Sequence, residues 1–184
     1  MSFRAWEWLD PRIEIRPSPI SGRGMFALAP INAGELLVVW GGQPFTLDDI
    51  RFGRAAPGST VAISEELYLG RSAEAYDRER DDRGDFINHS CEPNVWLVNE
   101  VTLAARHDIA KAQEITMDYA MIEADENYVS RWECRCGSSL CRGQVTGADW
   151  RLPALQQRYA GHFSPFITRR IGAHLHSATQ TYAA

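Results

Sequence analysis

Lysine is almost missing from this chain: Lys111 stands alone against eighteen arginines in 184 residues. A GC-rich genome accounts for that bias, so it carries no mechanism. Cysteine is scarce as well, with four residues. No apolar run approaches the ~20 residues needed to cross a bilayer, which excludes a membrane-spanning helix. The opening Met1-Ser2-Phe3-Arg4-Ala5-Trp6-Glu7-Trp8 is too polar for a signal peptide. An intracellular, reducing compartment is expected, in which clustered thiols bind metals rather than form disulfides. Internal repeats and low-complexity segments are lacking, and helical periodicity is scarce before residue 120.

What is present fits one domain with a C-terminal extension, because 45% hydrophobic content in a chain of this length supplies one sizeable core. Short β-like runs dominate the first 120 residues: Arg12–Arg16, Met25–Ala29, Glu35–Trp40, Thr60–Leu69, Val95–Val98, Val101–Arg106 and Glu114–Met117. Asn99-Glu100 reads as a tight hairpin and Pro30 to Gly34 as a second reversal. Thr46-Leu47-Asp48-Asp49-Ile50 reads as a capped helical turn. The fold class is mainly β. Asp149 is expected to cap a helix running through Leu152 and Leu155, Pro165 to start a second short one, and the tail beyond Gly172 to fray. Glu74–Asp85 reads as a solvated loop or helix face.

The net charge of −5 is unevenly spread, since residues 131–170 hold seven arginines against Glu133 and Asp149, a local +5, and leave −10 on the remainder. An acidic body favours a basic, lysine- or arginine-rich protein partner over direct contact with nucleic acid. An ordinary acidic surface reads the same way.

Gly22-Arg23-Gly24-Met25-Phe26-Ala27 matches a dinucleotide-binding pattern, but Pro30, Asn32 and Gly34 leave no room for the helix it requires. What survives is a glycine turn between strands, either a plain turn or one that lets a ligand approach the backbone. All four cysteines fall in two places, Phe86-Ile87-Asn88-His89-Ser90-Cys91-Glu92-Pro93-Asn94 and Cys134-Arg135-Cys136-Gly137-Ser138-Ser139-Leu140-Cys141. Cys91, Cys134, Cys136 and Cys141 would close an all-sulfur tetrahedron suited to structural zinc, with buried free thiols as the alternative. Asn88 and His89 read either as a hydrogen-bonded core pair or as ligand contacts. Asp118-Tyr119 reads as a strand end with a tyrosine anchoring a turn.

Taken together, Gly22-Arg23-Gly24, Phe86 to Asn94, Glu114-Ile115-Thr116-Met117-Asp118-Tyr119 and Cys134 to Gly143 resemble the SET-domain family of protein lysine methyltransferases, across roughly residues 12 to 143. The resemblance implies small curved β-sheets with a pseudoknot. Together with the short C-terminal helices read above, the expected division is a SET domain at 1–130, a post-SET zinc motif at 131–145 and a helical extension with a frayed tail at 146–184. S-adenosylmethionine and a lysine of a basic protein or peptide would enter from opposite faces and meet in a narrow channel.

By the same resemblance, Gly22, Arg23, Gly24 and the following Met25 line the cofactor's methionine portion, and Asn88 and His89 contact its amino group and adenine. Tyr119 is the catalytic tyrosine and also touches the cofactor. Tyr68 is a candidate second channel tyrosine, and Met117 occupies the position that limits how many methyl groups fit. The chain departs from the family's pattern in four places. Met117 stands where an aromatic residue is common, Asp85 where a basic one is, Met25 where tryptophan is frequent, and Ala112 where a turn glycine is usual. The last matters only if the backbone there is left-handed. The competing readings are a SET-like module that binds peptide without turnover, and a zinc-stapled β protein that binds neither ligand.

Overall fold

The computed structural model describes residues 3–74, 76, 83–123 and 125–181. Its strands are short because turn residues interrupt the apolar runs every few positions. The first are β1 (Trp8–Leu9), β2 (Ile13–Pro17), β3 (Arg23–Ala27) and β4 (Leu36–Val39). Then come β5 (Gln43–Thr46), helix α1 (Leu47–Arg51), β6 (Val61–Ala62) and β7 (Leu67–Gly70). The last are β8 (Asn88–His89), β9 (Val95–Leu97), β10 (Thr102–Ala105) and β11 (Glu114–Met117). They form three small sheets, ordered β1-β4-β10-β9, β2-β3-β11-β8 and β5-β7-β6. The mainly β architecture is the expected one.

The expected hairpin at Asn99-Glu100 is present, with Leu97 opposite Leu103 across β9 and β10. Pro30 to Gly34 also turns, the Glu35 N–H donating to Asn32 O at 3.2 Å, and carries the chain from the second sheet into the first. Thr46 and Asp49 form a reciprocal cap on α1, the threonine hydroxyl accepting from the Asp49 N–H at 3.1 Å and the carboxylate from the Thr46 N–H at 2.9 Å. Strand β11 decides the site, because it pairs antiparallel with β3 and parallel with β8. That parallel register sets Thr116 beside Asn88 and Met117 beside His89. Distant sequence motifs thereby become neighbours.

One core runs under all of this. Met25, Leu37, Leu103, Ile115 and Met117 belong to the same buried cluster as Trp150, Tyr159, Phe163 and Ile167, so the C-terminal extension completes the core of the β body. Among the described residues no helix is long and apolar enough to cross a membrane.

Two local expectations need correction and a third point is decided. Asp149 does not cap a long helix: it opens a 3-10 turn, Asp149–Arg151, and α2 begins only at Pro153 (Pro153–Arg158). Its carboxylate is taken by Arg142 Nε at 2.9 Å and the Thr146 hydroxyl at 2.7 Å, while proline at the first helical position sets the new start. Helix α3 (Pro165–Thr181) runs past Gly172, and its first turn is fixed by the Ser164 hydroxyl accepting from the Ile167 N–H at 3.2 Å. Ala112 does adopt a left-handed conformation, φ 65°, held by its own N–H donating to Ala27 O at 2.7 Å. A Cβ there costs about 1 kcal/mol that glycine would avoid. Most of the charged stretch between Glu74 and Asp85 lies outside the described residues.

Candidate active site

The site begins with the side chains that β8 and β11 present together. Asn88 Nδ2 is placed to donate to Ser21 O at 3.2 Å, Arg23 O at 3.1 Å and Glu114 Oε1 at 2.8 Å. Glu114 in turn accepts from the Ser18 hydroxyl at 2.8 and 2.9 Å, so one carboxylate and one carboxamide hold the turn from residue 18 to 23. Gly24 must be glycine for this packing, because a Cβ would press on Glu114 Oε1 and stand 2.9 Å from Asn88 Nδ2. Asn94 braces the same strand, donating to Glu114 O at 2.7 Å and accepting from the Thr116 N–H at 2.8 Å.

His89 is buried, and burial pushes its pKa down to about 4 despite the opposing pull of Asp118. The neutral ring accepts from the Tyr119 N–H at Nδ1 (3.3 Å), which leaves its proton on Nε2, 3.3 Å from Cys91 Sγ. One imidazole thus joins the Tyr119 backbone to a thiol.

Tyr119 stands between two hollows. One is lined by Ile20, Ser21, Asn88, His89, Trp132, Glu133, Cys134 and Arg135, and the other by Trp40, Ser59, Val61, Asp85, Ile87, Glu123 and Tyr128 among others; Tyr119 belongs to both. Its hydroxyl donates to Ile87 O at 2.9 Å. That bond uses the only phenolic proton and leaves the oxygen's lone pairs as acceptors. The first hollow offers the Trp132 ring with a carboxylate and a guanidinium close by, a donor set that suits a ligand with an aromatic base and a zwitterionic end. The second is acidic and aromatic.

The four thiols converge beneath the first hollow, with every Sγ within 4.8 Å of the others. The Cys91–Cys134 separation is 3.9 Å, far too long for a disulfide and close to the ~3.8 Å edge of a tetrahedron with 2.3 Å Zn–S bonds. Burial pushes the Cys91 thiol up to about 11 and Cys134 higher still. Burial would raise Cys136 too, but hydrogen bonds from its neighbours outweigh it and bring that thiol to about 7. Metal binding would replace the thiol protons. The set fits zinc, with no coordination position left over for chemistry.

Arg142, next after the last cysteine, ties this cluster to the tyrosine. Its Nη1 and Nη2 donate to Asp118 Oδ2 and Oδ1 at 2.8 and 2.7 Å, its Nε to Asp149 Oδ2 at 2.9 Å, and its backbone N–H to Cys91 Sγ at 3.3 Å. Asp118, 0% exposed, also accepts from the Ala120 N–H at 3.0 Å and the Tyr159 hydroxyl at 3.1 Å. Burial alone would discourage a charge on Arg142, but the Asp118 bonds overcome it and hold the guanidinium protonated.

Comparison with known proteins agrees with this geometry. The family model described as "SET domain" matches residues 22–120, more than half of the chain. The chain belongs to the SET-domain family. It is 30% identical over 149 residues to "Histone-lysine N-methyltransferase ATX2" of Arabidopsis thaliana, covering 75% of this chain and 13% of that protein. It is 43% identical over 76 residues to "Histone-lysine N-methyltransferase ASHH2" of the same plant, covering 35% of this chain and 4% of that one. The methyltransferase domain of human "Histone-lysine N-methyltransferase SETMAR" superposes with a TM-score of 0.57 at 20% identity, over 73% of this chain and 58% of that one. This chain therefore spans only a small part of the plant relatives.

Within the SET domain, Asn88, His89, Tyr119 and the four cysteines come together as expected. Of the turn before β3, Ile20 and Ser21 line the first hollow, Gly22, Arg23 and Gly24 follow them directly in the chain, and Met25 is fully buried in the core. Tyr68 lines a third hollow rather than either of the two that share Tyr119, and Met117 is fully buried in the core cluster. Asp85, which stands where a basic residue is common in the family, lines the acidic hollow with Tyr119 and Glu123. Sequence reading missed Trp132, Tyr128, Glu114 and Arg142. The signal for Arg142 was a charged residue directly following a metal-type cysteine.

Two outcomes follow from the SET-domain geometry. Asn88→Ala should weaken S-adenosylhomocysteine binding about tenfold or more, because it removes the amide that bridges Glu114 to the Ser21 and Arg23 carbonyls and so loosens the turn that carries Ile20 and Ser21. Titration calorimetry giving an unchanged Kd would remove Asn88 from the cofactor side. The folded protein should hold one equivalent of zinc that Cys136→Ser releases, and elemental analysis finding none would reject the metal centre.

Proposed function

We propose that this SET domain transfers methyl groups from S-adenosylmethionine to a lysine side chain of a basic protein. The observation that carries the reading is Tyr119, whose ring is a common wall of two hollows with complementary chemistry. The hollow formed by Ile20, Ser21, Asn88, His89 and Trp132 is assigned to the cofactor, and the acidic one beside Tyr128 to the lysine. The relatives' names specify histone lysines, and by that likeness a histone tail is the first substrate to try. Zinc would be structural, held by Cys91, Cys134, Cys136 and Cys141.

The cofactor, when bound, supplies a methyl group on a sulfonium. The chain's own task is alignment and exclusion of water. Asp85 and Glu123 draw lysine in as its charged form. Burial against Tyr119, and the positive charge the cofactor would bring, would lower the lysine pKa from its ~10.4 in water, so that the ammonium can release its proton to water and no side chain is needed as a strong base. With its hydroxyl donating to Ile87 O, the Tyr119 oxygen would accept from the amine and could make weak CH···O contacts to the cofactor's methyl group. Met117, packed behind this wall, influences the space for further methyl groups through the core.

A module that binds peptide without turnover would not need a tyrosine in the wall that the two hollows share. Incubation with S-adenosylmethionine and a lysine-rich histone, followed by assay of S-adenosylhomocysteine, tests the proposal. Cofactor binding with no product would favour the silent module, and absence of both the zinc-stapled alternative.

A further inference from the structure

Beyond the lysine hollow lies a second one, lined by Leu47, Ile50, Ala62, Tyr68 and Asp125, which shares Thr60, Val61, Ile122 and Glu123 with the first. The two are consecutive stretches of one groove along β6, with Tyr119 in the first and Tyr68 in the second. Neither the fold nor the metal centre accounts for the chemistry of the second stretch. Its walls are largely aliphatic, and its polar groups are two carboxylates, the Tyr68 phenol and the Thr60 hydroxyl.

The carboxylates are anchored rather than free to wander. Glu123 Oε1 accepts from the Asp125 N–H at 2.8 Å, and Asp125 Oδ1 accepts from the Asn127 N–H at 3.0 Å, so one turn presents both charges. Burial, then the charges of Asp125 and Glu123, raise the pKa of Tyr68 and keep its phenol neutral. Arg170, the cation that acts on this phenol, is itself held by Glu65 at 2.7 and 3.1 Å.

We infer that this second stretch takes the cationic side chain of another arginine or lysine of the substrate, flanking the methylated one. The aliphatic walls cover its stem, and Glu123, Asp125 and Tyr68 meet its charge. The inference rests on the proposed methyl transfer and makes the chain selective for a doubly basic motif. It also gives Tyr68 a role in choosing substrate instead of one in the reaction channel.

The test is a series of peptides with one lysine in a neutral context and a single arginine moved through about four positions on either side. At one position kcat/KM should rise about tenfold over the parent peptide, through KM, and the gain should shrink with added salt. Asp125→Asn keeps the oxygen that anchors the turn but loses the charge, so it should abolish most of that gain while leaving the parent peptide's turnover in place. Asp125→Glu should restore it, which separates charge from folding. A flat profile in the wild type, or a gain that survives Asp125→Asn, overturns the subsite. Failure to methylate any peptide or histone overturns the underlying methyl transfer instead.

Discussion

Arg142→Met is expected to destabilise the protein by about 3 to 5 kcal/mol, because it strands the Asp118 carboxylate in the core without its bidentate partner. Among the described residues, the Ala120 N–H and the Tyr159 hydroxyl would remain to it as hydrogen-bond donors. For a domain of this size the loss corresponds to a drop in Tm of about 10 °C. Asp149 and the Cys91 sulfur lose a partner, or its position, in the same step, so cofactor affinity should fall together with stability. Adding Asp118→Asn should return part of the loss, since the stranded charge is then gone, and the two changes should be clearly non-additive in a double-mutant cycle. Chemical denaturation showing a single-mutant cost within 1 kcal/mol would mean that the buried network is not what joins the cysteine motif to the tyrosine.

Tyr119→Phe is expected to lower turnover about 10²- to 10³-fold with cofactor affinity and Tm nearly unchanged, because it removes only an oxygen that acts on the reacting groups. The ring stays, and with it the edge contacts to His89 and Trp132 at centroid distances of 5.2 and 6.3 Å. The lost hydroxyl donates to an Ile87 carbonyl at the wall of the acidic hollow, where water can replace it. A tyrosine that merely anchored the turn would behave the other way, losing stability with activity falling in proportion. Rates, calorimetry and melting on one preparation distinguish the two.

Residue type and order were enough to read the motifs that chemistry constrains. Four cysteines and an Asn-His pair have few ways of coming together, and the sheet register places them as the resemblance implied. The two-residue strands β1 and β6 are too short to carry a period of their own, and β8 was visible only as a motif. Tyr68 and Met117 were assigned by position along the chain, whereas pairing across strands decides which way a side chain faces. Tyr68 shares its sheet with β6 and so faces the neighbouring hollow, and Met117 alternates with Thr116 into the core. Asp149 read as a cap because only local partners are visible in sequence. Its actual partner, Arg142, also clamps the carboxylate before Tyr119.

Tandem mass spectrometry of a lysine-rich histone, after incubation with the zinc-loaded protein and methyl-deuterated S-adenosylmethionine, tests the central claim most directly. The geometry around Tyr119 predicts deuterated methyl groups on a lysine Nζ, absent when a Tyr119→Phe preparation that still binds S-adenosylhomocysteine replaces the wild type. Unlabelled lysines with wild-type protein that is folded, holds zinc and binds the cofactor would contradict it.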